Sequence, residues 1–377
     1  MSGTERTWTA DAFDAVAVRA RDCKVEIEGT DDDNVRLEAD HGPDFSLEIT
    51  GRRLQLGTSM RKGEAKFTLH LPKHKAWAVD LFSGQTQFKA VNIRARLNLM
   101  PGKGEIQVEN CSGALSVISG KVNIRLKLFS ETEIPELPPP AAEWPLINPG
   151  DRESWPDWWR SYWDQMGGEF DERILKRFFS QAKNKKRISG INLQAGKGDL
   201  QLEDITVSEF IVRCGKGDVK LKGGRVADFD LDLLKGNFEC ESCMPEGDWN
   251  ISVNRGDIHL SLPADTRARL DVATRQGDIQ STTPMVRVTR QGPEAWHGGR
   301  MVGTMGTNLE GKMPEVHLAT LHGDIKIETR RPTGRRDEDQ RVGNADSYDT
   351  PLSILKALSE GRISVDEAER LLHSLDS

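Results

Sequence analysis

The 377-residue chain has no run of about 18 apolar residues, the length a membrane-crossing helix needs. Its opening, Met1 to Arg6, lacks the apolar stretch of a secretory signal. The expected location is therefore cytoplasmic, with a peripheral position at the inner face of the membrane compatible with it. Cysteine is sparse and odd in number, five in all, which fits a reducing compartment and excludes a fully paired disulfide framework. Positive charge is not in surplus. Lys and Arg number 52 against 59 Asp and Glu, a formal net charge of −7, so nucleic acid is not an expected partner. Catalytic constellations are missing too: no nucleophile beside a base, no phosphate-cradling loop ahead of a helix, no carboxylate pair on one helix face. The expectation is a non-enzyme with no catalytic residues, no metal and no cofactor.

Glycine, by contrast, recurs on a beat. Gly198, Gly217, Gly236, Gly256, Gly277 and Gly323 each follow a basic or polar residue and precede Asp or Asn. The first five are spaced by about 20 residues, and the last step is about twice that, which reads as two periods or one rung with a large loop. Five residues before each glycine stand Leu193, Val212, Leu231, Ile251, Val272 and Leu318; two after stand Leu200, Val219, Phe238, Ile258, Ile279 and Ile325. Apolar residues two apart on either side of a glycine have strand periodicity with one buried face. A unit this short cannot bury that face alone, so units must stack. The predicted fold is mainly β, a single-chain β-solenoid (β-helix) of ~20-residue rungs, and the six glycines are structural turns with positive φ.

A weaker version of the pattern occupies residues 1–129, where Gly84, Gly104 and Gly120 head comparable columns. Phe13-Asp14-Ala15-Val16-Ala17-Val18, Leu69-His70-Leu71-Pro72, Ile258-His259-Leu260-Ser261-Leu262-Pro263 and the recurrent Gly-Asp-Ile together resemble the bacterial putative-adhesin β-strand-repeat family, over roughly residues 10–129 and 188–330. The resemblance implies a single-chain β-helix without an assigned activity.

Residues 130–187 interrupt the repeat. A proline-rich connector is followed by Trp155, Trp158, Trp159, Tyr162, Trp163 and Met166 at helical spacing, then by Phe178 and Phe179 and the basic Lys185, Lys186 and Arg187. An aromatic helical insertion is expected. It either packs on the solenoid or contacts a membrane surface or a membrane-protein partner. Between Thr282 and Met313 an irregular excursion from the stack is expected. After the second block of rungs, 188–331, a polar linker spans 332–349. Residues 350–377 then carry two short apolar stripes, Ile354, Leu355 and Leu358, and Leu371, Leu372 and Leu375. Ile354-Leu355-Lys356, Glu360-Gly361-Arg362-Ile363-Ser364 and Glu367 to Leu372 resemble the helical hairpins of Lia-type cell-envelope stress proteins and short C-terminal oligomerisation modules. A C-terminal helical hairpin this small needs a partner for its stripes, and self-association is the expected one.

The aspartates after the glycines could suggest a calcium ladder. Calcium-binding β-rolls have a period about half of this one, and neighbouring carboxylates at solvent dielectric repel by only about 1 kcal/mol, so a turn role is favoured. Arg255-Gly256-Asp257 spells an integrin tripeptide but is one member of the series. Cys240 and Cys243 have CxxC spacing, with packing as the favoured reading. The functional expectation is a scaffold or interaction protein linked to envelope stress or organisation. The alternatives are a bactofilin-like polymerising solenoid and a polysaccharide-active β-helix enzyme.

Overall fold

The computed structural model describes residues 2–41, 45–58, 65–134, 190–283, 287–291, 298–306 and 313–330, all within one compact unit, Met1–Arg330. The expected helical insertion and C-terminal hairpin lie outside the described residues. Within them the chain is almost entirely strand, apart from a single 3-10 turn at Ala10–Ala12.

Each rung contributes a strand to a front sheet and a strand to a back sheet, and the rungs pair in parallel. On the front, Leu115, Ile191, Phe210, Phe229, Trp249, Val316 and Leu270 form one inward column. On the back, Ile124, Leu200, Val219, Phe238, Ile258, Ile325 and Ile279 form another. The two columns face each other across a continuous apolar core. Phe210 stacks on Phe229 at 4.7 Å, and Trp249 meets Phe229 edge-on at 5.5 Å. Its indole nitrogen donates to the Val226 carbonyl, so the ring is buried without an orphaned donor.

The ladder crosses the interruption at 135–189 without losing register. Leu115 to Lys121 pair with Ile191 to Lys197, and Ile124 to Lys127 pair with Leu200 to Glu203. The insertion therefore leaves and rejoins at a corner between two stacked rungs.

Three expectations are corrected. The first concerns register near the N-terminus: Gly84 and Gly120 are not turn glycines. Strand Ala76–Val91 pairs with Arg94–Glu131 so that Val79 opposes Leu97 and Thr86 opposes Gly104, two residues away from an alignment on Gly84. Lys121 opposes Lys197, which puts Val122 and not Gly120 beside Gly198. A shift of two preserves which face is apolar, so periodicity alone could not exclude it.

The second concerns order. The rung carrying Gly323 lies directly on the rung carrying Gly256, and the rung carrying Gly277 lies outside it. The long last step is neither two periods nor a looped rung: the chain builds an outer rung, turns back and slides the next one beneath. The other end does the same, with strand Ala15–Thr30 sandwiched between Ala76–Val91 and the later rung made of Arg53–Thr58 and Ala65–Pro72.

The third concerns 282–313. Arg287–Gln291 and Gly299–Met305 form an antiparallel hairpin against the outer rung strand Ala268–Gln276. The hairpin seats Met301 and Met305 in the core. At the opposite end Asn34–His41 and Phe45–Thr50 close the outer rung in the same antiparallel way, with Ser2–Thr9 added to Asn34–His41.

Candidate functional site

The most regular polar feature is the bend between front and back strands. The six turn glycines have φ between +136° and +153°, a region that side chains disfavour. The second reason for glycine is the rung beneath. A β-carbon at Gly217 would sit 2.0 Å from the Gly198 carbonyl oxygen, and one at Gly236 would sit 1.9 Å from that of Gly217. The same contact recurs for Gly256, Gly323 and Gly277.

The residue after each glycine makes a ladder of its own. The Asp218 backbone N–H donates to Asp199 Oδ1 at 3.0 Å, Asn237 N–H to Asp218 Oδ1 at 2.8 Å, and Asp257 N–H to Asn237 Oδ1 at 3.0 Å. It continues from Asp324 N–H to Asp257 and from Asp278 N–H to Asp324, each at 2.8 Å. At the near end Asp199 N–H donates to Asn123. Each side chain thus accepts a hydrogen bond from the next rung's backbone and satisfies a donor that the bend leaves outside the sheet ladder. Asn237 serves in the middle because only a carbonyl-type acceptor is needed. The Arg255-Gly256-Asp257 tripeptide is one step of this ladder, and its aspartate is engaged in it.

The thiols are packing groups. All five cysteines are buried and unpaired by disulfides. Burial pushes the Cys214 thiol up to about 12 and the Cys111 thiol up to about 11, and raises Cys243 well above the ordinary value. The Cys243 Sγ donates to the Gly223 carbonyl at 3.1 Å. Protonated, enclosed thiols are neither nucleophiles nor ready metal ligands. Among the described residues no group of three or more His, Cys, Asp or Glu is placed to hold a metal ion.

One cluster was not anticipated. Asp80 points outward from the front sheet yet is 0% exposed. Its Oδ1 accepts from Asn98 Nδ2 at 2.9 Å, while its Oδ2 lies 3.7 Å from an Arg53 nitrogen, an ion pair too long to be a hydrogen bond. Burial raises the Asp80 carboxyl above its ordinary range, against the opposing pull of the Asn98 amide and of Arg53 and Arg96. Farther along the same face Arg213, 6% exposed, binds the Asp230 carboxylate and approaches Asp232 at 3.1 Å. The available signal was the segment Ala76-Trp77-Ala78-Val79-Asp80-Leu81-Phe82, which lacks polar alternation.

Of the sites expected from sequence, the structure gathers the six glycines into one column. Trp155, Trp158, Trp159, Tyr162, Trp163, Phe178, Phe179, Lys185, Lys186 and Arg187 lie outside the described residues. So do Ile354, Leu355, Leu358, Leu371, Leu372 and Leu375.

Residues 13–328 match the family described as Toastrack DUF4097. The chain belongs to that family. Similar solved structures include a putative adhesin from Bacteroides fragilis, 10% identical, covering 86% of this chain and 97% of its own, with a TM-score of 0.26. Another is a putative adhesin from Parabacteroides distasonis, 12% identical, covering 87% and 97%, with a TM-score of 0.23. A putative cell adhesion protein from Clostridium sporogenes is 9% identical, covering 87% and 100%, with a TM-score of 0.19. No curated protein matches. The family match agrees with the resemblance read from the repeats and with a mainly β, solenoid-like architecture.

Proposed function

We propose that this Toastrack chain is a non-enzymatic interaction scaffold: a stiff stack of rungs that holds appended segments and joins a second copy of itself through the stripes Ile354, Leu355, Leu358 and Leu371, Leu372, Leu375. The observation that carries the reading is the side-chain ladder from Asn123 to Asp278. The carboxylates most suited to chemistry by their regular array are engaged in holding rungs in register, and the buried thiols are engaged in packing. A role in envelope stress or organisation belongs to this proposal through the resemblance of the C-terminal stripes to Lia-type hairpins.

Filament growth by rung-on-rung stacking fits less well. The outer front strand Ala268–Gln276 is already paired by Gly299–Met305, and the outer rung at the other end by Phe45–Thr50 and Asn34–His41. Antiparallel hairpins of this kind block the open parallel edge such growth would use. Light scattering behind size exclusion tests the proposal, comparing the full chain with one ending at Arg331. The full chain should be an oligomer and the shortened chain a monomer. The same state in both would remove self-association through the stripes.

A further inference from the structure

The residue before each bend forms a file of like charge. Lys121 opposes Lys197, Lys197 opposes Lys216, Lys216 opposes Lys235, and Lys235 opposes Arg255. His322 and Gln276 hold the same position on the next two rungs and end the basic file. With rungs about 4.8 Å apart, the cations line roughly 19 Å of one corner. Lys121, Lys216, Lys235 and Arg255 are exposed, and none of the four forms an ion pair with a carboxylate among the described residues. The nearest back-sheet column is different, because its signs are mixed: Lys220 opposes and pairs with Glu239, and His259 and Lys326 follow.

We propose that this corner binds a single extended strand of an acidic polysaccharide, one carboxylate to each rung. The file is one residue wide. On its front side stand Gly196, Gly215, Leu234 and Asn254, and on its back side Asp199, Asp218, Asn237 and Asp257. A membrane surface or a nucleic-acid duplex is a broad anionic field, which a basic field of similar breadth would meet. A lone polymer strand needs only a line. The rung step is close to the length of one sugar ring in an extended chain, so a polyuronate, with one carboxylate per ring, repeats its charge in step with the lysines. Lysine suits the task because its ammonium is a point charge on a flexible stem, which absorbs small mismatches in spacing. The aspartates beside the file are shorter, and each is tied back by a backbone N–H of the adjoining rung, which leaves the longer basic side chains to meet the strand. Cations held in register also repel one another, and a bound anionic strand relieves that repulsion.

Titration of the full chain with polygalacturonate at low ionic strength, with neutral dextran as the control, tests this. Polygalacturonate should bind, more weakly as salt is raised, and dextran should not. With a factor of about five for each contact between unit charges in water, Lys216→Gln combined with Lys235→Gln should weaken binding about 25-fold. Lys89→Gln combined with Lys222→Gln removes the same charge from exposed back-sheet positions and should leave binding unchanged. Absence of binding would overturn the proposal. So would equal weakening by the two pairs, which would mean that overall charge and not the file is recognised. Equal or tighter binding of oligodeoxythymidylate, or of phosphatidylglycerol vesicles, would assign the file to nucleic acid or to a membrane and overturn the polysaccharide. The readout is a ratio between variants of one chain, so it stands whether or not the C-terminal stripes self-associate.

Discussion

The middle of the stack and its two ends meet the same requirement by different means. In the middle, chain order and stacking order coincide from Ala76 to Pro263, and at Gly198, Gly217, Gly236 and Gly256 the glycine and the Asx residue after it contact the adjoining rung. At both ends the order is permuted. A terminal rung is threaded inside its neighbour, and the outer one is covered by antiparallel strands. Parallel rungs alone always end in an unpaired edge. Threading places Ala15–Thr30 at one end and Ile325–Arg330 at the other between two parallel partners and leaves antiparallel strands on the outside. Repetition thus fixes the middle, whereas closure at the ends depends on segments that do not repeat.

The sharpest way to break this comparison is to place the same methyl group in each region. Gly217→Ala would force a β-carbon into the Gly198 carbonyl and hold alanine at φ +147°. We expect a loss of about 3 kcal/mol or more, from overpacking and backbone strain together, seen as a large drop in thermal midpoint. Gly3→Ala, in the outer strand Ser2–Thr9, meets nothing within 4 Å and should change stability by less than about 0.5 kcal/mol. Similar losses in both variants would show that the close approach at the bends is not what demands glycine.

The same division explains how much was legible beforehand. Leu193, Val212, Leu231 and Ile251 announced their column because each rung repeats the last, and a two-residue period at a fixed distance from glycine is hard to mimic. Rung order at the C-terminal end was not legible: Ile279 and Ile325 have equal claims to the place beside Ile258, and what decides is the path taken by the hairpin between them. The N-terminal offset of two residues stayed hidden because Thr86 and Val122 occupy bend positions that elsewhere carry glycine. The aspartate ladder was legible as a column, though not as an acceptor chain, since the donor is a backbone N–H one rung away. Asp80 was missed because an aspartate at an outward strand position reads as solvated, although the apolar residues on both sides of it, from Ala76 to Phe82, break the polar alternation that a solvated face would show.

The ladder supplies the next, smaller test. Asp218→Ala removes the acceptor for the Asn237 N–H and should lower stability by about 1 kcal/mol, the usual net value of one hydrogen bond. Asp218→Asn should be close to neutral by thermal unfolding, because Asn237 already fills the same role one rung on. If Asp218→Asn proved as harmful as Asp218→Ala, charge and not acceptor geometry would be the operative property, and the turn reading would give way to an ionic one.

A smaller effect than that of Asp218→Ala belongs to the N-terminal end, where an ion pair stands at the start of a front strand. Asp14 is bound by Arg52 through both carboxylate oxygens and lies 2.7 Å from Lys75 Nζ. The hydrogen bond from Arg52, helped by Lys75, holds its carboxyl at about 2, below the ordinary 3.8. A depressed carboxylate contributes stability above its unfolded-state value and loses it as pH falls through the folded one. The contribution is therefore present above about pH 4 and is lost toward pH 2. Because the Arg52 side chain is 58% exposed, solvent screening should reduce it to roughly 0.5–1 kcal/mol. Asp14→Asn should be less stable than the parent at pH 7 by that amount, with the two unfolding curves converging near pH 2. A difference that persisted unchanged at pH 2 would assign the residue's contribution to packing under the outer rung, and the contrast between a hydrogen-bonded middle and a charge-paired end would fail.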